Sequence, residues 1–539
     1  VVMNRKNLTA AVLAGLAGAA GIVGSAQAVN INPDGLGQVL IYPYFTVNGG
    51  NTTVLSVVNT TDYAKAVKVR FKEGKNSREV LDFNLYLSPY DVWTASIRNV
   101  DGTPTMKTAD NSCTVPYIYG NDNDGNQAFL PWAMNDTGVA DEYGPISRAT
   151  EGYFEMIEMG VVTDDTEGSA TSATHVDGMM DTCDNLVAAW SDPDDLDPDD
   201  NGYWYDDFLV DIDAPMGGLF GGAAVVNVQA GTMYTYDAKA INGFAESENP
   251  NFVPLHQPPG TSAPSLASGG VTDAKVFSDQ GQLLESVGLT RSIDAVSFVF
   301  MHDQVMNEYI TGSGIGAHTE WVMTFPTKSH YVYGEEAGAL PGEILDDEDV
   351  LAPFTTAWDG MGACEAVGLE NLRDREEQTY PEPDDPVGQP DGPIVSPAPP
   401  FVPGPDPDPI IPFELCYEVS VIEFGPPAEP CEGEDCVEAT SGILGSSNFH
   451  NIDNTQLGFE SGWAQLQLDD YVTDENEDGV AEPQSRDPLG GLEGLPVTGF
   501  AVQAFVNSVL GDGADTLANY GGIFQHKATR KMGSALRPQ

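Results

Sequence analysis

Val67-Lys68-Val69-Arg70-Phe71-Lys72 alternates apolar and basic residues without a break. Side chains along a strand point to opposite faces in turn, so Val67, Val69 and Phe71 share one face and the basic residues the other. Glu73-Gly74-Lys75-Asn76 is a turn signal. Beyond it Leu81 to Leu87 alternates again, with Phe83, Leu85 and Leu87 on one side. Gln38 to Phe45 and Val54 to Val58 are further strand candidates rich in Val, Ile, Leu and Tyr. Four segments joined by short turns, each with one polar face, predict an antiparallel sheet in a β-sandwich.

The same signal returns at Tyr153–Val162, Ala223–Val228, Met233–Tyr236 and Glu320–Val332, and then at Tyr417–Phe424, Trp463–Leu468, Thr498–Val506 and Tyr520–His526. Ser292 to Tyr309 is the best helix candidate, because Ala295, Phe298, Val299, Met301 and Val305 can share a face, although Val-Ser-Phe-Val-Phe reads equally as strand. Asp- and Gly-rich stretches at 119–127, 163–182 and 191–207 interrupt the strands. The expected class is mainly β, an antiparallel sandwich with long Asp/Gly-rich loops and a few short helices.

Composition narrows the function classes. The 539 residues carry 82 acids against 22 Lys and Arg, a formal charge of −60. A field of that sign repels nucleic acid and anionic headgroups and attracts cations, so no nucleic-acid partner is expected. With 20 Tyr, 22 Phe and 7 Trp the chain can still supply a packed interior. Arg5 and Lys6, the apolar run from Leu8 to Gly24 and the Ala26-Gln27-Ala28 cleavage site have the layout of a secretory signal peptide over 1–28. That predicts an exported protein, extracellular or on the outer cell surface, with the periplasm as an alternative. No later segment is long and apolar enough to span a membrane.

In an exported chain six cysteines read as disulfides. Fifteen connectivities exist for six cysteines; nearest-neighbour logic suggests Cys113–Cys183, Cys364–Cys416 and Cys431–Cys436. Residues 380–412 hold 13 prolines among Asp and Gly and favour extended polyproline conformation. The tract is either a spacer between a β region at 29–379 and a C-terminal β region at 413–539, or a long loop inside one sandwich.

Leu87-Ser88-Pro89-Tyr90-Asp91-Val92-Trp93, Tyr153-Phe154-Glu155-Met156-Ile157-Glu158-Met159-Gly160 and Thr324-Phe325-Pro326-Thr327-Lys328 resemble stretches of poorly characterised secreted surface proteins of Gram-negative bacteria. The resemblance implies an exported bacterial protein and adds no activity, cofactor or catalytic residue.

Calcium loops are the best chemical signal. Asp197, Asp199, Asn201 and Gly202 match positions 1, 3, 5 and 6 of an oxygen-donor loop, with the Tyr203 carbonyl at position 7. Asp474, Asn476, Asp478 and Gly479 repeat the pattern, with Glu482 at position 9. Both lack the bidentate Glu at the last position, where Phe208 and Ser485 stand, so a solvated Asp-Gly turn is the competing reading. Gly120 to Gly125 is a weaker match.

Catalytic signatures are absent: there is no G-x-S-x-G, H-E-x-x-H or P-loop, and the seven His have no metal-ligand spacing. His302-Asp303 reads as a hydrogen-bonded surface pair rather than part of a triad. Leu495-Pro496-Val497-Thr498-Gly499 matches a sortase signal but lacks a membrane-length run behind it, so Thr498–Val506 reads as an ordinary strand. Lys65, Lys68, Arg70, Lys72, Lys75 and Arg78 form a basic island, and Lys527, Arg530, Lys531 and Arg537 a second. These either meet an acidic face of a neighbouring copy or form a solvated or internally paired face. The expected function is a non-enzymatic, secreted or cell-surface structural or adhesive β protein, stabilised by Ca²⁺, with self-assembly or contacts to the cell envelope or extracellular matrix. The alternative is a secreted carbohydrate-binding or carbohydrate-active protein, with Trp93, Trp190, Trp204, Tyr205, Trp321 and Trp463 as candidate stacking residues.

Overall fold

The structure is a computed structural model that describes residues 28–120, 123–135, 144–180, 183–192, 201–245, 255–333, 345–376, 411–426, 439–454, 459–473, 482–509 and 517–533. It is mainly β, as the alternation predicts, with few short helices. The first sandwich faces an eight-stranded sheet against a six-stranded one. The eight-stranded sheet runs in the order Asn30–Ile31, Lys239–Asn242, Val39–Thr46, Glu151–Val162, Ala64–Glu73, Glu79–Leu87 and Cys113–Val115, with Ile212–Asp213 beside the Glu151–Val162 strand. The six-stranded sheet is Thr232–Asp237, Leu219–Asn227, Thr52–Asn59, Val92–Val100, Thr103–Lys107 and Asn126–Ala128.

A second sandwich follows. Its outer sheet is Ile411–Leu415, Glu365–Asp374, Ser461–Gln467, Gln304–Ile310 and Lys527–Thr529. Its inner sheet is Phe449–Ile452, Val419–Phe424, Ala317–Thr324, Thr498–Val509 and Leu517–Gln525. Neighbours are antiparallel except Val419–Phe424 with Phe449–Ile452. The inner sheet is covered on both faces. Val322, Val419, Val421, Phe500 and Val502 enter the core of the first sandwich. Trp321, Met323, Ile422 and Phe424 enter that of the second. Glu320 fastens this join: its carboxylate accepts the Leu444 N–H and the Ser441 hydroxyl, both at 3.0 Å. The Leu444 carbonyl in turn accepts from Thr46 Oγ1 and Asn51 Nδ2 of the first sandwich.

The opening hexapeptide lies in the Ala64–Glu73 strand, whose residues are buried without exception. Val67, Val69 and Phe71 fill the sandwich core, as expected. The basic face is not solvated. Lys65 Nζ meets Glu158 Oε1 at 2.5 Å, Lys68 Nζ meets Asp82 Oδ2 at 2.5 Å, and Arg70 reaches Glu79 and Glu155 at 2.6 Å each. Lys72 Nζ donates to the Ser77 carbonyl. Segment 255–264 roofs this face, accepting from Lys68 and Asn84 through the Pro258 and Gln257 carbonyls. Of the two readings of this island, its strand residues follow the internally paired one. Burial opposes charging on both sides of these pairs, holding Lys68 below and Glu158 above their usual values.

Two expectations change. Ser292–Phe300 is helical, but the chain then turns to strand at Met301–His302 and Gln304–Ile310. The helix is buried nearly all round, packed against the strands Ala274–Phe277, Leu495–Pro496 and Asn30–Ile31, so its apolar run carries little periodicity. Glu320–Val332 is one strand only to Thr324, after which Ser329–Val332 is a short helix. The Pro-rich tract does not divide the sheets. Glu365–Asp374 and Ile411–Leu415 on either side of it are adjacent antiparallel strands, next to the Cys364–Cys416 bridge. Along the chain, the strands of the first sandwich end at Asn242 and those of the second begin at Gln304. Residues 377–410 themselves lie outside the described residues, as do residues 1–27 of the predicted signal peptide. Cys113–Cys183 is present as expected, whereas Cys431 and Cys436 are not among the described residues. Among those described, no helix is long and apolar enough to cross a membrane.

Removing one partner of a buried pair leaves an uncompensated charge, which costs about 3–5 kcal/mol. Lys65→Met is accordingly expected to lower unfolding free energy by about that amount in urea titrations. Lys107→Met, which removes the exposed Lys107–Asp124 pair, should leave the midpoint unchanged.

Candidate functional site

The chain changes sheets at His526. Leu517–Gln525 pairs with Thr498–Val509 in the inner sheet, and Lys527–Thr529 pairs with Gln304–Ile310 in the outer one. His526 fits this corner through both ring nitrogens: Nε2 donates to the Val322 carbonyl and Nδ1 accepts from Asn307 Nδ2, each at 3.1 Å. Burial pushes its pKa down to about 4, so the ring is neutral at pH 7. Beside the corner opens a cleft of about 490 Å³. Lys239, His302, Thr498, His526, Lys527 and Arg530 line it. Lys239 Nζ donates to Gln525 Oε1 at 2.9 Å, and Arg530 donates to the Phe277 and Val299 carbonyls. Burial holds Lys239 below its usual value against the opposing effect of Asp237, and pushes Arg530 down to about 10.

His302 is half-buried in the same lining and hydrogen-bonded. Its Nδ1 donates to the Thr529 carbonyl at 3.3 Å, and burial takes its pKa down to about 3. His302 and His526 stand far apart in sequence, and only the sheet change brings them to one cleft.

A second cluster, missed in the sequence, gathers Ser88, Asp91, Asn111 and His175 in an open depression. Ser88 Oγ lies 2.5 Å from His175 Nδ1, and Asp91 Oδ2 lies 3.6 Å from the same nitrogen. Nucleophilic catalysis needs the acid and the hydroxyl on opposite ring nitrogens, so that one side orients while the other takes the proton. Here Nε2 faces Asn111 Oδ1 instead. Ser88 Oγ also donates to the Ala173 carbonyl and accepts the His175 N–H. The cluster staples the 88–91 turn, where Tyr90 sits at φ 57°, to residues 173–175.

Of the predicted calcium ligands, Asp197, Asp199, Asp474, Asn476 and Asp478 lie outside the described residues. Asn201 Nδ2 donates to Asp206 Oδ1 at 3.0 Å. Tyr203 begins a short helix, Tyr203–Asp206, and its carbonyl accepts the Asp207 N–H. Among the described residues the one convergence of three metal-ligand atoms is Cys364, Glu414 and Cys416, and its sulfurs are joined as the disulfide.

The six aromatics named as stacking candidates form no exposed row. Trp93, Trp204 and Trp321 are fully buried, and Trp190 donates to the Tyr86 hydroxyl inside a cluster with Trp204 and His256. Trp463 is exposed and lines a second cleft with Phe524, Met306, Asn307 and Glu308, adjoining the first through Gln525 and Lys527. No protein-family model, curated protein or solved structure matches the chain.

His256 is fully buried, with the Tyr86 hydroxyl at 3.1 Å from Nε2 and the Phe208 carbonyl at 2.8 Å from Nδ1. Burial pushes its pKa down to about 4. A histidine held neutral contributes stability that is present above the unfolded pKa of about 6.5 and is lost as pH falls through the folded value. NMR titration is expected to show the His256 ring unprotonated at pH 5.5, with unfolding as it charges. A ring titrating near 6.5 in folded protein contradicts the assignment.

Proposed function

We propose that the chain is an exported, non-enzymatic structural or adhesive component of the cell surface or extracellular space, stabilised by Ca²⁺ at its Asp-rich loops. The observation that carries this reading is where the charge goes. The basic strand residues are buried with an equivalent set of acids, so the buried pairs cancel and the formal −60 falls on the rest of the molecule. A surface of that sign gathers divalent cations, and a cation bound to the native state alone stabilises it by mass action. The Ser88–His175 geometry adds support, since the group most like a catalytic centre is occupied by internal bonds. Two disulfides and an inner sheet shared by two cores suit a rigid scaffold.

A second reading, carbohydrate binding, is favoured by the exposed Trp463 and Phe524 that share one cleft with Asn307 and Glu308. Aromatic faces stack on sugar rings while polar neighbours hold hydroxyls.

Millimolar Ca²⁺ is expected to raise the melting temperature more than Mg²⁺ at equal ionic strength. Asp199→Ala and Asp478→Ala should each reduce the gain, and electron microscopy should show ordered assemblies with Ca²⁺ present. Equal shifts from both ions, unaltered by these substitutions, would refute the calcium part. Monomers under every condition, with Trp463→Ala abolishing oligosaccharide binding, would favour the second reading.

A further inference from the structure

We propose that the cleft at the His526 corner is an oxyanion site, taking the carboxylate, sulfate or phosphate group of a small ligand between Lys239, Lys527 and Arg530. This goes beyond the scaffold reading and does not depend on it.

The first argument is an imbalance of charge. The chain has 22 Lys and Arg against 82 acids, and Lys65, Lys68, Arg70, Arg148 and Arg486 each sit against a carboxylate, while buried Lys72 and Lys328 donate to backbone carbonyls. Here three cations converge on one cavity, and among the described residues none of them bonds a carboxylate. Lys239 donates to an amide oxygen and Arg530 to two backbone carbonyls. Asp279 is the one acid in the lining, and Asp237 and Asp303 act on Lys239 and Arg530 only through space. In a molecule this acidic, cations left without carboxylates in a recess mark a place where negative charge is to be received.

The second argument is independent of charge. Thr498 Oγ1 and Arg530 Nε are buried atoms without a hydrogen-bond partner among the described residues, and both residues belong to this one lining. An unsatisfied buried polar group is costly, so two in one wall call for a reason. Both carry hydrogens to donate, as do the two lysines. A lining that offers donors and few acceptors is complementary to an oxyanion, which accepts through every oxygen. The partly enclosed setting strengthens that attraction relative to open water.

Isothermal titration of the full chain with inorganic phosphate and with glucuronate, using glucose as the uncharged control, tests this. Saturable binding of one molecule of either anion is expected, with no heat from glucose. Tighter binding of glucuronate points to an acidic sugar that also reaches the Trp463 cleft, and tighter binding of phosphate to a free or esterified phosphate. Lys527→Gln and Lys239→Gln should each weaken binding about tenfold, as loss of a charge-assisted hydrogen bond does. Lys527 is exposed, so its variant keeps the test valid if Lys239→Gln fails to fold. Lys107→Gln, outside the cleft lining, should leave binding unchanged. The proposal is overturned if neither anion saturates up to roughly 10 mM, if glucose binds as tightly as glucuronate, or if Lys107→Gln weakens binding as much as Lys527→Gln.

Discussion

Neutralising the cations of the Ala64–Glu73 strand inside the protein is the constraint on which the rest of the structure rests. Lys65, Lys68 and Arg70 are buried in the middle of the largest sheet, and each requires a carboxylate from the strand beside it. The requirement works across strands. Arg70 stands directly opposite Glu155, and Lys72 opposite Glu79. A one-residue slip would turn every side chain of the strand to the other face, placing cations among Val67, Val69 and Phe71 partners. Buried ion pairs are weak sources of net stability, because desolvation offsets much of the attraction. Their contribution here is to exclude wrong registers in a sheet whose two buried faces would otherwise discriminate poorly.

Burial of both faces follows from the same arrangement. Segment 255–264 closes the basic face, and helix Ser292–Phe300 packs at the edge strand Asn30–Ile31. The chain leaving that helix starts the second sandwich, and its inner sheet returns to the first core through Val322 and Phe500. Thr324 Oγ1 donates to the Pro43 carbonyl and the Tyr153 hydroxyl to the Pro326 carbonyl, so the two sandwiches also share polar bonds. Neither core is complete without residues of the other.

Strands with clean alternation, such as Thr232–Asp237 at the edge of the six-stranded sheet, are readable from sequence because one face is wet and the other dry. Alternation at Val67–Lys72 reveals two chemically different faces but not that both are buried. The missing information sits in Asp82, Glu155 and Glu158, acids within otherwise apolar strands, whose value as partners appears only once the strand order is known. Ser292–Tyr309 joins a helix to a strand, and because the helix is buried nearly all round its sequence carries no periodicity that marks where it ends. The His526 corner is a product of topology alone. His302, Thr498 and Arg530 come from separate strands and loops, and no local spacing connects them. The calcium pattern, by contrast, is purely local, and most of its ligands fall outside the described residues.

Native-state hydrogen exchange tests most directly the claim that the buried charged sheet and the shared inner sheet form one cooperative unit. Amides of Ala64–Glu73, Glu151–Val162 and Ala317–Thr324 are predicted to exchange only through global unfolding, with one common free energy and one denaturant dependence. Exchange of Ala317–Thr324 at a lower free energy, while Ala64–Glu73 stays protected, would contradict the account and show two sandwiches that open independently.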